Sequence, residues 1–415
     1  MIKRLVKSTF LFFLLGILSC GNTHKETSSP SLKEKSSEKA QDSLKPQVVT
    51  GANQMHLYLP KLQGKSVGIV GNQTSVIINK KGGLTHLVDS LLSKNINVAK
   101  VFAPEHGFRG TADAGEIIKD GTDPVTSLKV ISLYGAQKKP SKETLEGLDI
   151  MVFDIQDVGA RFYTYISTLH YIMEACAENN IPLLILDRPN PNGHYIDGPT
   201  LDMKHSSFVG MHPIPVVHGL TMGEYAKMIN GEQWLKDGLQ CKLEIIQLEN
   251  YSHDQAYNLP VKPSPNLPTP TAINLYPSLC FFEGTNVNAG RGTNKQFQIF
   301  GSPDLDPEVF KFTYTPQSLP GATSPKHLKK LCYGKDLSST PYLQKLELKW
   351  LIDAYEHTSN QQEFFNSFFT KLAGTEKLQK QIEAGLTEEE IRETWKADLE
   401  KFKLKRKPYL LYPEK

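Results

Sequence analysis

Glu105 is the residue of this sequence with the clearest potential for acid–base chemistry. It follows an apolar run, stands next to His106, and precedes Gly107, which lets another group approach closely. A general acid that works near neutral pH is usually a carboxyl whose pKa has been raised by partial burial, and a glutamate at the end of a buried run fits that description. The sequence therefore indicates Glu105 as a general acid, with an ion pair to Arg109 as the simpler alternative.

Two further carboxylates could work with such an acid. Glu116 lies in the same long loop, where it could equally form a salt bridge. Asp157 stands four residues before Arg161 at the start of a predicted helix, so capping that helix or pairing with Arg161 is an even alternative to catalysis. Asp154 falls inside an apolar run and is predicted to be structural. We take Glu105, Glu116 and Asp157 as the catalytic candidates.

Polar residues that could bind a substrate occur in the same loops and in one later loop. Asn190 lies in a Pro-Asn-Pro-Asn-Gly turn, where amides serve as turn residues or as partners for sugar hydroxyls. Arg291 lies in a loop rich in glycine and amides, and an arginine can make a bidentate contact to a carboxylate. The candidate substrate-binding residues are Asn72, His106, Arg109, Arg161, Tyr163, Asn190, Glu283, Asn286 and Arg291.

The elements that must position these residues alternate over the first two hundred positions. Continuous apolar runs take turns with segments of helical periodicity, which is typical of a parallel sheet covered by helices on both faces. The predicted strands are 67–70, 98–102, 130–133, 150–155 and 182–186. Ligands of such sheets bind beyond the carboxyl ends of the strands, where the loops that carry most of the candidates must meet. The fold class is therefore α/β and Rossmann-like.

The later part of the chain has a looser pattern. Capping-box patterns mark two predicted helix starts, at Thr221 with Glu224 and at Thr387 with Glu390. A stiff proline-rich stretch, 262–270, separates the Rossmann-like pattern from the short strands and late helices that follow. We predict a Rossmann-like catalytic domain over 51–268 and a smaller α+β domain over 269–415.

The first fifty residues differ in character from the rest. A basic start and a short apolar run, 10–18, end at Ser19 and Cys20, which resembles the lipobox of bacterial lipoproteins. The run is shorter than the about 20 apolar residues that span a bilayer. Residues 1–20 are predicted to be a signal peptide, Cys20 to be lipidated, and 21–50 to be a disordered linker. The protein is therefore expected to be exported and membrane-anchored, facing the periplasm or on the cell surface.

The sequence lacks the motifs that mark several common nucleotide, serine-hydrolase and metal sites. No GxGxxG follows the first strand, no P-loop motif occurs, and the GxSxG of serine hydrolases is missing. Metal ligands could come from His106, His194, His212 or His218 with Asp157, but neither HxxxH nor HExxH spacing supports them. We therefore expect neither a metal nor a cofactor.

The charge limits the possible binding partners, and the cysteine positions limit the possible disulfides. The net charge of +3 comes from acids and bases that are interleaved along the chain, which argues against a nucleic-acid partner. Four cysteines follow Cys20 at distant positions and are expected to be buried, with no essential disulfide: Cys176, Cys241, Cys280 and Cys332.

Long stretches of the chain resemble the NamZ-type exo-β-N-acetylmuramidases, a bacterial family formerly described as a domain of unknown function. Together these stretches span nearly everything beyond the linker, and long ungapped motifs are more specific than any single triplet. They are 71–74, 104–110, 153–165, 187–191, 283–286, 290–293 and a tail with Trp395, Leu399 and 409–412.

The resemblance implies an active cleft between a Rossmann-like domain and a smaller C-terminal domain. It implies release of N-acetylmuramic acid from the non-reducing end of peptidoglycan fragments, without a cofactor. By position, Glu105 resembles the general acid of the family. Its partner is expected to be Glu116, with Asp157 and Glu283 as the next candidates.

The chemistry of the residues is compatible with that activity. Glycoside hydrolysis typically needs one protonated and one ionised carboxyl around an oxocarbenium-like transition state. Muramic acid carries a lactyl carboxylate, for which Arg161, Arg291 and Arg109 are candidate partners. Two alternatives remain open: a non-catalytic lipoprotein that binds cell-wall glycans, and a metal-dependent hydrolase or esterase.

Overall fold

A seven-stranded sheet forms the centre of the computed structural model. The structure describes residues 47–79, 81–105, 107–109, 120–135 and 137–414. The strands over the N-terminal part are β1 (Ser66–Gly71), β2 (Val76–Ile78), β3 (Leu84–His86), β4 (Asn97–Ala103), β5 (Gly121–Thr122), β6 (Lys129–Ser132), β7 (Ile150–Asp154), β8 (Leu183–Leu186) and β9 (Leu243–Ile246). The hairpin β2–β3 stands outside the sheet. All five strands predicted from the sequence are present.

The order of the strands in the sheet is β5-β6-β4-β1-β7-β8-β9. The chain runs outward from β1 through β4 to β6, returns to β7 on the other side of β1, and continues outward to β9; these neighbours pair in parallel. The edge strand β5 is antiparallel to β6. Strand order therefore reverses between β1 and β7, as in Rossmann-type sheets, and ligands of such sheets bind at that reversal.

Helices cover both faces of the sheet. The helices of the described chain are α1 (Met55–Leu62), α2 (Leu87–Ser93), α3 (Lys142–Leu145), α4 (Tyr165–Glu178), α5 (Met222–Gly231), α6 (Pro270–Leu279), α7 (Lys349–Glu356), α8 (Phe369–Ala373), α9 (Lys377–Glu383) and α10 (Glu388–Arg406). Both predicted capping boxes are present, at the starts of α5 and α10. The proline-rich stretch 262–270 ends where Pro270 begins α6.

The core shows why the central strands are apolar throughout. Every residue of β7 is buried, and alternate residues belong to different hydrophobic clusters. Met151 and Phe153 pack with the cluster of α4 and α5, whereas Ile150 and Val152 pack with the cluster of α2. Successive side chains of a strand point to opposite faces, so a strand covered on both faces has no polar alternation.

The C-terminal part contains a small antiparallel sheet with helices around it. Its strands, β10 (Ile299–Ser302), β11 (Phe312–Tyr314) and β12 (Cys332–Asp336), lie in the order β10-β12-β11. The chain then returns to the large sheet, where the hydroxyl of Tyr412 donates to Oδ2 of Asp187 at 2.6 Å. The predicted α/β class and the smaller α+β C-terminal domain are thus confirmed.

The four cysteines beyond Cys20 are buried, as predicted. Burial raises the pKa of each thiol, and that of Cys241 to about 12. Over the described ranges, no helix combines the length and apolar character needed to cross a bilayer.

Candidate active site

A cleft of about 1130 Å³ opens beyond the carboxyl ends of the large sheet, between that sheet and the C-terminal part. The sheet side contributes residues that follow β4, β6 and β7, namely Glu105, Tyr134, Phe162 and Thr164. The C-terminal side contributes α6, the loops after it and the segment between β11 and β12, with Tyr276, Glu283, Asn288, Arg291 and Lys326 among its lining residues. Two distant parts of the chain therefore form one concave site.

Glu105 is held in this cleft by the start of α4. It is half-buried two residues beyond β4, and its Oε2 accepts a hydrogen bond of 2.9 Å from the hydroxyl of Thr164. Thr164 is the N-cap residue of α4, yet its side chain makes no capping bond, so its hydroxyl is available to Glu105. The hydroxyl of Tyr165 lies 3.4 Å from the backbone oxygen of the same glutamate. Both the carboxyl and the backbone of Glu105 are thus fixed in place.

Tyr134 follows β6 and is a second hydroxyl partner of Glu105. Burial, and then the nearby charge of Glu105, raise the pKa of Tyr134 well above its ordinary value. The phenol therefore stays protonated and can donate its hydrogen bond to the carboxyl.

Glu283 and Arg291 form an ion pair on the C-terminal side of the cleft. Nε of Arg291 lies 2.9 Å from Oε1 of Glu283, and each side chain is about a quarter exposed, at 23% and 27%. The guanidinium also lies over the ring of Phe297, 5.1 Å from its centroid. None of the described residues accepts a hydrogen bond from the two terminal nitrogens of Arg291, so both can donate to a ligand.

Two glycines fix the backbone on either side of Arg291. Gly290 and Gly292 both have φ of +77°. A Cβ on Gly290 would lie 2.6 Å from the backbone oxygen of Lys295, and a Cβ on Gly292 would lie 2.5 Å from that of Gln317. Any other residue would be strained and would clash at both positions, which explains the Gly-Arg-Gly sequence.

Each member of this ion pair favours the ionised form of the other. Burial raises the pKa of Glu283, but the positive charges of Arg291 and Lys326 outweigh it and hold that pKa below its ordinary value. Burial lowers the pKa of Arg291, but Glu283 more than offsets it. Glu283 is therefore ionised at neutral pH, and the cluster of two cations and one anion keeps a net positive charge.

Glu105 and Arg291 also meet at a smaller cavity of about 70 Å³, which Tyr163 and Tyr165 help to line. Tyr276, which lines both spaces, is close enough to both charges for each to affect its pKa, after the dominant effect of burial. The candidate acid and the candidate anion site thus face the same space. Within the described chain, the acidic residues that line the cleft are Glu105 and Glu283.

Arg161 lies outside the cleft, which does not support its predicted role in binding substrate. It is fully buried, with 0% exposure. Its terminal nitrogens donate four hydrogen bonds of 2.8 Å, to the backbone oxygens of Pro199, Ile214, Leu372 and Ala373. Because Leu372 and Ala373 belong to α8, this arginine ties the Rossmann-like part to the C-terminal part.

We predict that Arg161→Met lowers the free energy of unfolding by about 4 kcal/mol, because buried carbonyls then lose charged hydrogen-bond donors. Urea unfolding of the two proteins measures the difference. Lys401→Met is a suitable control, since that side chain is 79% exposed and its removal should change stability by less than about 0.5 kcal/mol. Equal effects of the two substitutions would contradict the structural role.

Arg109 is also engaged elsewhere. Its guanidinium donates to Asp123 at 3.0 and 2.7 Å and to Asp89 at 3.4 Å, and it lies over the ring of Phe108. This pairing lowers the pKa of Asp123 to about 2. Neither the predicted contact with substrate nor the alternative pairing with Glu105 matches this position; Arg109 joins α2 to the loop before β6.

The predicted asparagines hold turns. Asn72 is buried, donates to the hydroxyl of Tyr165 at 2.9 Å, and accepts from the backbone of Thr74. Asn190 is buried, donates to the backbone oxygen of Leu220 at 3.0 Å and accepts from the backbone of Asn192 at 2.8 Å. Neither lines the cleft, but Asn72 supports Tyr165 beneath Glu105.

Asp157 is buried in the turn after β7 and does not line the cleft. Its Oδ2 accepts from the backbone of Gly159 at 2.7 Å, and burial raises its pKa to about 7. Its predicted alternative partner, Arg161, is bonded elsewhere. The position therefore supports neither a direct catalytic role nor the predicted ion pair.

The other predicted residues have the following positions. Tyr163 donates to the backbone oxygen of Pro263 at 2.9 Å and borders the small cavity. Asn286 donates to Asp304 at 3.1 Å, in the loop that follows Glu283. Three predicted positions fall outside the described residues, so the structure does not place them: Cys20, His106 and Glu116.

The cleft residues that the sequence did not indicate include Tyr134, Thr164 and Lys326. Thr164 lies in the stretch 153–165 that resembles the family. Its position at the start of a helix is the signal that could have indicated its role. Tyr134 and Lys326 have no motif around them, and only the fold brings them to the site. Across the described ranges, the structure contains no group of three or more histidines, cysteines or acids that could hold a metal ion.

Comparison with known proteins agrees with this fold and identifies the family. The family model described as "Exo-beta-N-acetylmuramidase NamZ, N-terminal" matches residues 67–271, and its C-terminal counterpart matches 274–412. The chain is 36% identical to the peptidoglycan beta-N-acetylmuramidase NamZ of Bacillus subtilis, over 98% of this chain and 100% of that protein.

Two crystal structures of DUF1343 family proteins from Bacteroides fragilis are also similar. One is 46% identical with a TM-score of 0.82, covering 89% of this chain and 100% of its own. The other is 27% identical with a TM-score of 0.74, covering 88% and 99%. The protein is thus a glycoside hydrolase of the α/β class. More particularly, the chain belongs to the family of exo-β-N-acetylmuramidases called NamZ.

Proposed function

We propose that this protein releases N-acetylmuramic acid from the non-reducing end of peptidoglycan fragments. The observation that carries the proposal is that Glu105 lines the same cleft as the ion pair of Glu283 and Arg291. A relative whose name describes a peptidoglycan β-N-acetylmuramidase supports the substrate class. The cleft offers a carboxyl that we assign as the proton donor, an ionised carboxylate and a cationic fork, which are the groups that cleavage of a muramide requires.

Glu105 is the proposed general acid. It protonates the glycosidic oxygen of the leaving sugar as the bond to the anomeric carbon breaks. The hydroxyls of Thr164 and Tyr134 restrict the rotation of the Glu105 carboxyl. The carboxyl is therefore already oriented for proton transfer to the glycosidic oxygen. These two residues position the acid and do not themselves transfer the proton.

Glu283 is the proposed ionised carboxylate. Positive charge develops on the ring of the sugar in an oxocarbenium-like transition state, and a fixed negative charge nearby stabilises that state more than the ground state. Arg291 and Lys326 keep Glu283 ionised. Glu116, our first expectation for the second carboxylate, lies outside the described residues and stays a prediction.

Arg291 is the proposed partner of the lactyl carboxylate. Its Nε is bound to Glu283, and its two terminal nitrogens remain as a planar fork that matches a carboxylate. A glucosamine substrate lacks the lactyl group and leaves these donors without a charged partner. The site therefore favours muramic acid.

Hydrolysis of a chromogenic β-N-acetylmuramide by the purified protein tests the proposal. We expect steady release of the chromophore, unaffected by a metal chelator. Binding of muropeptides without any release would indicate a glycan-binding protein instead. Loss of activity in chelator, with recovery on adding zinc, would indicate a metal-dependent hydrolase.

We also propose that the protein is exported and anchored to a membrane through a lipid on Cys20, with the segment that follows as a flexible tether. This proposal rests on the sequence before residue 47. The predicted linker, 21–50, ends earlier than expected, because Val48 and Thr50 are buried and Val49 pairs with Glu249. Cys20→Ser should move the protein from the membrane fraction to the soluble fraction, with unchanged kcat on a soluble muramide, because residue 20 lies far along the chain from every proposed site residue. Membrane retention of the variant, judged by fractionation, would contradict the anchor.

A further inference from the structure

The segment of Lys326 and His327 is bound to the loop that carries Glu283. We call residues 282–288 the Glu283 loop. The ammonium of Lys326 donates to three backbone oxygens of this loop, those of Phe282 at 2.9 Å, Thr285 at 2.5 Å and Val287 at 3.0 Å. The contacts join parts of the chain about forty residues apart, so only the folded structure brings them together.

The next residue binds the same loop, and the loop binds back. Nε2 of His327 donates to the backbone oxygen of Asn286, which can only accept. The side chain of Asn288 donates in return to the backbone oxygen of Lys326 at 2.7 Å. The Glu283 loop is therefore fixed along its length by one short segment.

The backbone of His327 is unusual for a residue with a Cβ. Its φ is +60°, in the left-handed region that residues other than glycine seldom occupy. Side chains of consecutive residues in an extended chain point to opposite sides, whereas this turn lets both contact the same loop. The hydrogen bonds of both side chains to the Glu283 loop hold this conformation.

Lys326 has no donor left for a substrate. An ammonium group has three N–H donors, and three carbonyls accept them here. Its charge is nevertheless close to the cleft, because Lys326 lines it and is one of the two cations that hold the pKa of Glu283 low. Lys326 can therefore act on the reaction through the loop that it holds and through its charge, but not by donating a hydrogen bond to the substrate.

We propose that Lys326 is a positioning residue of the active site, which fixes the Glu283 loop through its three hydrogen bonds and supplies positive charge beside Glu283. The proposal rests on the proposed function, in which Glu283 acts as the ionised carboxylate. The other groups that face Glu283 are Arg291, which also lowers its pKa, and the thiol of Cys280, whose own pKa is raised by burial and then by Glu283. Cys280 thus stays protonated and neutral.

Lys326→Met is the first test, because methionine retains most of the length of the side chain and removes its charge. We expect kcat on a muramide to fall by about 100-fold, as for loss of a fixed electrostatic group, with KM within about threefold. Without this cation the pKa of Glu283 rises, so the acid limb of the pH profile of kcat should move to higher pH. Lys330→Met, at an exposed lysine of the same segment, should leave both unchanged.

Two further variants separate charge from shape. Lys326→Arg keeps the charge but its planar fork cannot make the same three bonds, so kcat should fall while the acid limb stays in place. Lys326→Cys treated with bromoethylamine regains an ammonium at nearly the same distance, and kcat and the acid limb should both recover. Wild-type protein treated with the reagent is the control, since the four cysteines beyond Cys20 are buried.

The proposal would be overturned if Lys326→Met lowered the activity equally at every pH and left the acid limb unchanged. Lys326 would then have only a structural role. Should that variant not fold, the alkylated Lys326→Cys protein decides, and failure to regain kcat on alkylation would overturn it equally. A wild-type protein that does not cleave muramides at all would instead contradict the proposed function.

Discussion

Glu105→Gln is expected to lower kcat on an unactivated muramide by about 1000-fold, because a general acid typically contributes 10²–10⁴-fold to the rate. Glutamine keeps the size of the side chain and an oxygen that can accept from Thr164, but it has no proton to give to the leaving oxygen. The melting temperature and the affinity for a muropeptide should stay near those of the wild type. Steady-state kinetics with calorimetric binding measures both effects.

The control for this substitution is Glu146→Gln, at an exposed glutamate outside the cleft, which should behave as the wild type. A leaving group that departs without protonation, such as dinitrophenolate, should restore much of the rate of Glu105→Gln. If Glu105→Gln cleaves an unactivated disaccharide at the wild-type rate, Glu105 is not the acid.

Arg291→Ala is expected to have the second largest effect. It removes two charged hydrogen bonds to the lactyl carboxylate, each worth about 1.5–3 kcal/mol, so kcat/KM on a muramide should fall at least about 100-fold. The fall on the corresponding glucosaminide should be smaller, since that sugar has no carboxylate. The ratio of kcat/KM for the two substrates is the quantity to measure.

Arg291 also neutralises Glu283, so a variant that retains its charge is needed as the control. Arg291→Lys keeps a cation beside Glu283 but loses the planar fork. Its activity should fall on the muramide and stay nearly unchanged on the glucosaminide. Equal losses on both substrates in both variants would indicate that Arg291 only supports the structure of the loop.

The large sheet could be predicted because burial on both faces leaves a simple sequence pattern. The strand β7 is apolar at four of its five positions, and so short an apolar run is typical of a strand buried on both faces. The strand β9 was missed because it lies at the edge of the sheet, where Glu244 and its neighbours are partly exposed and no continuous apolar run remains. Both capping boxes could be predicted because the pattern is local.

The site could be predicted only in part, because a polar residue at a strand end has two possible uses. Glu105 and Arg291 line the cleft, whereas Arg161 and Asn190 donate to buried backbone carbonyls outside it. Buried backbone groups need partners, and nearby polar side chains often supply them. Which use applies depends on the path of the chain around the residue, and the sequence pattern does not reveal that path. Lys326 illustrates the limit, since its partners lie about forty positions away.

A crystal structure of the Glu105→Gln protein with a disaccharide that has N-acetylmuramic acid at its non-reducing end tests the central claim most directly. We expect the lactyl carboxylate to accept from the two terminal nitrogens of Arg291, and the side chain at position 105 to lie within hydrogen-bond distance of the glycosidic oxygen. A disaccharide bound outside this cleft, or with its lactyl group in solvent away from Arg291, would contradict the proposed function.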